Sequence, residues 1–457
     1  MTVAIPAQRM MGPIKLAPGV TPAQVFIFLV VILSAAFTTT FVTLMQPLII
    51  NSQLHVPTGQ QGMLAGMLGT TQQGAVLLFI GFTGAFADRL GRRAVLMFAL
   101  AGFALAAFLF PLVSSIAALF LLRFMFGMAS TGHTSGGATK MMDLPDNGSR
   151  GKFLSFMLVV QAGAGALFTA FVASRLPGWF KSAGFSAEEA TRYSFWIIAV
   201  LALAGLIFAF LFMKDDRPAL AAGGPRAKSA TFAEAVANAG EVLAHARKHP
   251  KFAVILLIGF VIRTDYAIMG SFLGLWVVNA AKLHGVSAID ATKTIGSLTA
   301  ISSMAGFVAP PVFGFLADKV NRQTMLICAL GMTSIAFCAT GLIHDVFGPA
   351  MIAVVVFIGL CEGAQTVSAQ SLFAEEAPVH LRGSAMGLFA ILGTSSVLVI
   401  NMVGGYLFDK AGFTAPFVME GLLNLMFCIA AFLVVRNQKK RDPAPAAALA
   451  PDPAAEI

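Results

Sequence analysis

Arg263-Thr264-Asp265-Tyr266 interrupts a long apolar run that begins after Lys251. At about 1.5 Å per residue along a helix, positions twelve to fifteen residues in lie roughly 20 Å deep, near the middle of a membrane. A charge there costs about 2.5–3.5 kcal/mol on insertion scales, so each one needs a partner or a water-filled cavity. Arg263 can hold an anionic group, and Asp265 can gain and release a proton. Two positions apart, they point about 200° away from each other and should not pair. One is then free to face a cavity and the other a neighbouring helix. Glu362 lies at similar depth in another apolar run, with Gln365 and Gln370 beyond it. Either Glu362 neutralises Arg263 in a purely structural pair, or it exchanges a proton. A third run holds Arg123 and His133, and the first offers Thr38, Thr39, Thr40, Thr43 and Gln46. Arg123 is the second candidate for an anion. His133 sits among small residues (Gly132 to Gly137) and is either a hydrogen-bonded packing residue or a ligand contact. Tyr266 and Trp276 offer a hydroxyl or a stacking face, or ordinary packing. Glu420, near the start of the last run, reads as structural.

The elements that place these groups are membrane helices. Hydrophobic residues make up 58% of the chain and charged residues 11%, against roughly a quarter charged in soluble domains. Twelve apolar spans are expected near 24–50, 60–84, 94–113, 115–141, 152–175 and 192–213, then 252–280, 293–316, 324–343, 348–374, 383–407 and 414–435. Short connections predict that consecutive spans are antiparallel neighbours. No cleavable signal peptide is expected, because the first basic residues lead straight into a long span.

One set of loops carries most of the Lys and Arg, including Arg9, Lys15, Arg150, Lys152, Arg247, Lys248 and Arg382. The opposite set carries only Arg175, Lys181, Arg192, Lys282, Lys293 and Lys410. By the positive-inside rule both termini are cytoplasmic. The net charge of +9 is therefore a topology signal, and no nucleic-acid partner is expected. Residues 214–251 form the longest polar interval and separate two six-span halves, 24–213 and 252–435. Its Pro218, Gly223, Gly224 and Pro225 read as a flexible entry. Thr231 to Glu234 read as a capping box opening a short helix that ends near His249-Pro250. Residues 1–23 form a cytoplasmic segment, and the Ala/Pro-rich tail 436–457 reads as disordered beyond Arg441. Cys328, Cys338, Cys361 and Cys428 all lie in apolar runs without metal-ligand spacing and read as small buried hydrophobes.

The densest motif is Gly84-Ala-Phe-Ala-Asp88-Arg89-Leu-Gly91-Arg92-Arg93, between the second and third spans. Gly84 would allow close helix packing, Gly91 a turn with positive φ, and Asp88 a fixed partner for an arginine or a helix N-terminus. A degraded copy, Gly314-Phe-Leu-Ala-Asp318-Lys319-Val-Asn321-Arg322, follows about 230 residues later. A second echo pairs Asp143-Leu-Pro145 and Arg150-Gly151 with Glu375-Glu376-Ala-Pro378 and Arg382-Gly383. The paired loops resemble the signature of the major facilitator superfamily. That resemblance implies an all-α membrane protein of twelve transmembrane helices in two pseudo-symmetric six-helix bundles. It further implies a central cavity lined by spans one, four, seven and ten, alternately open to each face. Arg123-Phe-Met-Phe-Gly127 resembles the R-x-x-x-G start of span four, whose arginine the family links to proton coupling.

Two family features are missing: the Gly-Pro of the drug/proton antiporter motif in span five, and the acid of many sugar symporters in span one. No Walker loop, H-E-x-x-H or nucleophile elbow is present, so no enzyme activity, cofactor or metal is expected. The reading is a secondary transporter, acting as a monomer among membrane lipid in a bacterial inner membrane, moving a small organic anion with protons. Its alternative is a proton-driven drug or metabolite exporter. Substrate contacts are assigned to Arg263, Tyr266, His133, Thr39, Gln365 and Trp276, and proton coupling to Asp265, Glu362 and Arg123. Conformational gating is assigned to Gly84, Asp88, Arg89, Gly91, Arg92, Arg93, Asp318 and Arg322.

Overall fold

Hydrocarbon offers no water to backbone amides, so each apolar run must satisfy its own hydrogen bonds as a helix. A computed structural model describes residues 9–214, 232–317, 319–378 and 381–441. The linker entry through Thr231, Asp318, the tail beyond Arg441, and the side chains of Asp88 and Glu234 lie outside what it describes. Among the described residues twelve helices are long and apolar enough to cross a membrane. They are α1 (Pro22–Leu48), α2 (Thr58–Leu90), α3 (Arg92–Leu109), α4 (Ile116–Asp143), α5 (Arg150–Phe168) and α6 (Ala187–Phe212). The second half comprises α7 (Pro250–Leu283), α8 (Ala288–Ala317), α9 (Arg322–Ala339), α10 (Pro349–Glu376), α11 (Arg382–Ala411) and α12 (Ala415–Arg441). Helices Leu176–Ser182 and Phe232–Lys248 lie before α6 and α7.

Several helices overrun the apolar spans because their polar ends are capped. At α6 the Ser186 hydroxyl accepts from the Glu189 amide and the Glu189 carboxylate accepts from the Ser186 amide. The reciprocal box at α1 uses Thr21 and Gln24. Before α1, strands β1 (Met10–Met11) and β2 (Ile14–Lys15) form a hairpin that buries Leu16 against the α4–α5 loop through a bridge to Pro145.

Packing within each half repeats. In the first, α2 packs on α4, α4 on α3, α3 on α6 and α6 on α1. In the second, α8 packs on α10, α10 on α9, α9 on α12 and α12 on α7. The main neighbours are therefore often not consecutive in sequence, contrary to the expectation from short loops. A short loop fixes antiparallel direction, but small residues on facing helices choose the partner.

The halves meet through α2 with α11 and α5 with α8. Both contacts are concentrated at the face opposite the basic loops, here called the far face. A side chain at Gly66 would stand 2.1 Å from the Asn401 carbonyl oxygen, and one at Gly405 2.5 Å from the Gly62 carbonyl oxygen. The Asp409 carboxylate accepts from the Gly62 and Met63 amides, each at 2.8 Å. Asn279 donates to Gln61 at 2.9 Å, and Thr292 to the Ser174 carbonyl at 2.8 Å. Nearer the basic face the helices part: a side chain at Gly81 or Gly84 of α2, or Gly387 of α11, would meet nothing within 4 Å. Gly84 therefore does not make the close helix contact expected of it.

This one-sided seal has a direct consequence. Gly66→Leu should force α2 from α11, because overpacking of this kind costs ~1–3 kcal/mol and favours the opened arrangement roughly tenfold or more. An impermeant thiol reagent should then reach a cysteine at Thr43 from the far face correspondingly faster. Unchanged labelling would contradict the seal.

Candidate functional site

Below the seal lies a cavity of about 940 Å³ between the halves. The first half contributes Thr39, Thr40 and Thr43 of α1, Ser155 and Gln161 of α5, and Thr169 just beyond its end. The second contributes Tyr266 of α7, Thr299 and Ser303 of α8, and Glu362 of α10. Several wall hydroxyls donate to their own helices: Thr39 to Ala35, Thr169 to Gly165, Ser303 to Thr299. Their lone pairs remain for a ligand's donors. The cavity extends to Ser155 and Pro311, close to the basic ends of α5 and α8. No residue of α4 lines it, whereas α5 and α8 do. That corrects the expected set of lining helices.

This rotation of α4 removes two expected contacts. His133 packs edge-on against Phe103 of α3, with ring centroids 6.2 Å apart. Arg123 is 2 % exposed. It donates to Gln46 of α1 and, at 2.8 Å, to Gln72 of α2. Its guanidinium lies over the Phe110 and Phe126 rings. The R-x-x-x-G spacing now has a cause. Gly127 sits one turn below Arg123, and a side chain there would stand 2.4 Å from the Gln72 carbonyl oxygen. The bare glycine thus brings Gln72 onto the arginine. No carboxylate joins this cluster among the described contacts.

On α7, Arg263, Tyr266, Gly270 and Gly274 recur at helical spacing, and the last three line the cavity. Arg263 continues their stripe one turn nearer the basic face and is exposed. Asp265, 1 % exposed, points into the second half, as the 200° argument requires. It accepts from the Asn424 side chain at 2.8 Å. Gln365 donates to Asn424 at 3.3 Å. Gln365 is thus wholly inside the second bundle, and Trp276 packs against Phe417 at 5.4 Å; neither lines the cavity. Of the six assigned contacts, Thr39 and Tyr266 line it; Arg263 is not among the lining residues, its stem lying against Gly393 of α11; and His133, Gln365 and Trp276 lie elsewhere. Of the coupling candidates, only Glu362 is a wall residue. Arg263 and Glu362 form no ion pair among the described residues, and Glu362 Oε1 has no partner. Asn424, Gln72 and Asp409 were missed. The Glu420–Asn424 spacing of four, polar on one helix face in an apolar run, was the available signal.

At the basic face Gly91 adopts φ 89°, which lets α3 follow α2 at once. Arg92 pairs with Asp143 at the end of α4, and Arg93 donates to the Phe210 carbonyl of α6. In the second half Arg322 pairs with Glu375 at the end of α10, 3.3 Å apart. The acids of the second sequence echo are therefore the partners of the loop arginines. Cys361 is buried, but Cys328 is exposed, which corrects the reading of four buried thiols.

The model of the Major Facilitator Superfamily matches residues 27–292 and 255–456. Magnetosome protein MamH of Paramagnetospirillum magneticum is 23% identical over 88% of this chain and 90% of its own. Multidrug resistance protein MdtG of Enterobacter lignolyticus is 28% identical over 39% of this chain and 41% of its own. The crystal structure of nucleoside transporter NupG superposes with a TM-score of 0.71, covering 91% of this chain and all of that one at 13% identity. At that identity the likeness concerns the fold.

In a cysteine-free background, Arg263→Cys and Thr39→Cys should react with a charged thiol reagent applied at the basic face. Gln365→Cys and Trp276→Cys should react at least about a hundredfold more slowly, in keeping with the dependence of thiol chemistry on access and thiolate formation. Equal rates would contradict the placement.

Proposed function

The chain belongs to the major facilitator superfamily, and from that membership we propose that it moves a small organic anion together with a proton. It is a multi-pass membrane transporter. The proposal places it as a monomer in the cytoplasmic membrane with the basic face inside. The observation that carries the substrate reading is Arg263, an exposed arginine on the cavity stripe of α7 without an acid partner among the described residues. A carboxylate can meet its planar fork with two hydrogen bonds. The wall hydroxyls then accept from the donors of the same solute. Glu362 lacks a hydrogen-bond partner for one oxygen, so a proton there would neutralise it and spare the cost of a bare carboxylate in an apolar wall.

In this mechanism an anion and a proton enter together, and the loaded cavity loses both uncompensated charges. The bundles can then rock about the site, as transporters built from two repeated halves do. Asp265 and Arg123 act on the same step from within the bundles, one from each half. The loop pairs Arg92–Asp143 and Arg322–Glu375 tie the basic ends of each half, and together with Gly91, Arg89 and Asp88 they set the rate of exchange.

A second reading, export of a cationic drug or metabolite, draws on one observation. Glu362 is the single charged side chain among the described wall residues.

Proteoliposomes under an imposed pH gradient separate the two. With a panel of carboxylates, nucleosides and cationic dyes, the wild type should accumulate a carboxylate. Arg263→Gln should weaken its binding, and Arg263→Lys should restore little. Loss of an arginine contact to a charged group of this kind costs ~1.5–3 kcal/mol, roughly ten- to a hundredfold in affinity. Glu362→Gln should lose pH-driven accumulation yet keep exchange down a substrate gradient. Cation uptake that survives Arg263→Gln and fails in Glu362→Gln would establish the exporter instead.

A further inference from the structure

Inside the second half, away from the cavity, acceptors outnumber donors. Glu420 and Asn424 of α12 face Thr264 and Asp265 of α7 and Gln365 of α10, all at most 1 % exposed. Asn424 spends its amide hydrogens on Asp265 Oδ1 and the Glu420 carbonyl. The single hydroxyl hydrogen of Thr264 faces Glu420 Oε1 at 2.6 Å and also the Val261 and Phe260 carbonyls at 2.9 and 3.3 Å, and Gln365 donates to Asn424. Glu420 Oε2 and Gln365 Oε1 have no partner, and the Asp265 carboxyl shares Asn424 with both residues, since Asn424 donates to Asp265 and to the Glu420 carbonyl and accepts from Gln365. Two bare carboxylates cannot satisfy one another, since ionised carboxyls only accept. Retreat is blocked as well: a side chain at the adjacent Gly421 would stand 2.5 Å from Cys338 Sγ, so α12 is pressed against α9. Among the described residues neither lysine nor histidine contacts the group. The titratable neighbours are Glu362 and Cys361 on α10, Tyr266 on α7, Cys428 on α12 and Cys338 on α9, while Arg263 points away from it.

We propose that Asp265 and Glu420 form an acid–carboxylate pair holding one exchangeable proton inside the second bundle, loaded from the cavity through Glu362. The proton leaves cavity water for Glu362, then passes to the pair, and Glu362 returns to its carboxylate; nothing else is consumed. Occupancy matters because α7 runs from this pair to Asn279, which meets Gln61 in the far-face seal. Without the proton, two like charges push α7 from α12 and bias the seal. This purpose rests on the proton-coupled reading, whereas the pair itself rests on the donor count.

Infrared difference spectroscopy of the full-length purified protein in lipid reads protonated carboxyls directly, without substrate. The wild type should show a protonated C=O band at neutral pH. Asp265→Asn and Glu420→Gln should each displace or remove it. Thr264→Val, which keeps both acids, should displace it too and serves if an acid variant fails to fold. Glu362→Gln should leave the band in place but slow its deuterium exchange roughly a hundredfold, the low end of what a positioned proton carrier contributes. A band indifferent to Asp265→Asn or to Glu420→Gln, or one abolished by Glu362→Gln, would overturn the pair. An intact, variant-sensitive band in a protein without pH-driven uptake would support the pair and count against the proton-coupled reading alone.

Discussion

Backbone meets backbone where α2 crosses α11, and everything else about the molecule's state follows from that contact. In lipid no hydrophobic force drives helices together, so association depends on close packing and on polar contacts. Gly66 against Asn401 and Gly405 against Gly62 supply the packing. The Asp409 carboxylate on two α2 amides supplies the polar contact. Among the described contacts these lie towards the far face, and the cavity below them extends towards the basic face.

The charged contacts of the loops are arranged differently. Arg92 with Asp143 stays within the first half, and Arg322 with Glu375 within the second. Each pair ties the start of one helix to the end of another in its own bundle. These pairs stiffen the halves without joining them. Rigid halves joined at one face are what domain rocking requires. The hairpin at Met10–Lys15 adds to the stiffness of the first half by docking on the α4–α5 loop.

Much of this was legible in the residues. Twelve apolar runs, the two loops and the φ of Gly91 could be read directly, because length, charge and a missing side chain speak without neighbours. The echo of Asp143 in Glu375 was also visible, though its partners were not, since a pairing across two helices leaves no spacing signal. Helix faces were the main failure. A membrane helix is apolar towards lipid and towards protein alike, so periodicity gives no bearing on which side is inward. His133, Trp276 and Gln365 were therefore placed at the cavity and belong elsewhere. Asp265 fared better: the fixed angle between it and Arg263 puts the two on different faces, and Asp265 lies inside the second bundle. Glu420 reads as structural from its place in the run alone; its bond with Thr264 of α7 crosses two helices and leaves no spacing signal.

The central claim is that two rigid halves exchange one seal for another around a common cavity. Double electron–electron resonance tests it most directly, with spin labels at Gly59 and Ala411 across the far end of α2 and α11. A second pair, at Phe86 and Gly383, spans their basic ends, and native cysteines are replaced by serine. In nanodiscs across a pH series, the account predicts reciprocal behaviour: as the far pair separates, the basic pair closes, with the populations exchanging in step. Distances that lengthen together, or a basic pair that never closes while the far pair opens, would contradict it.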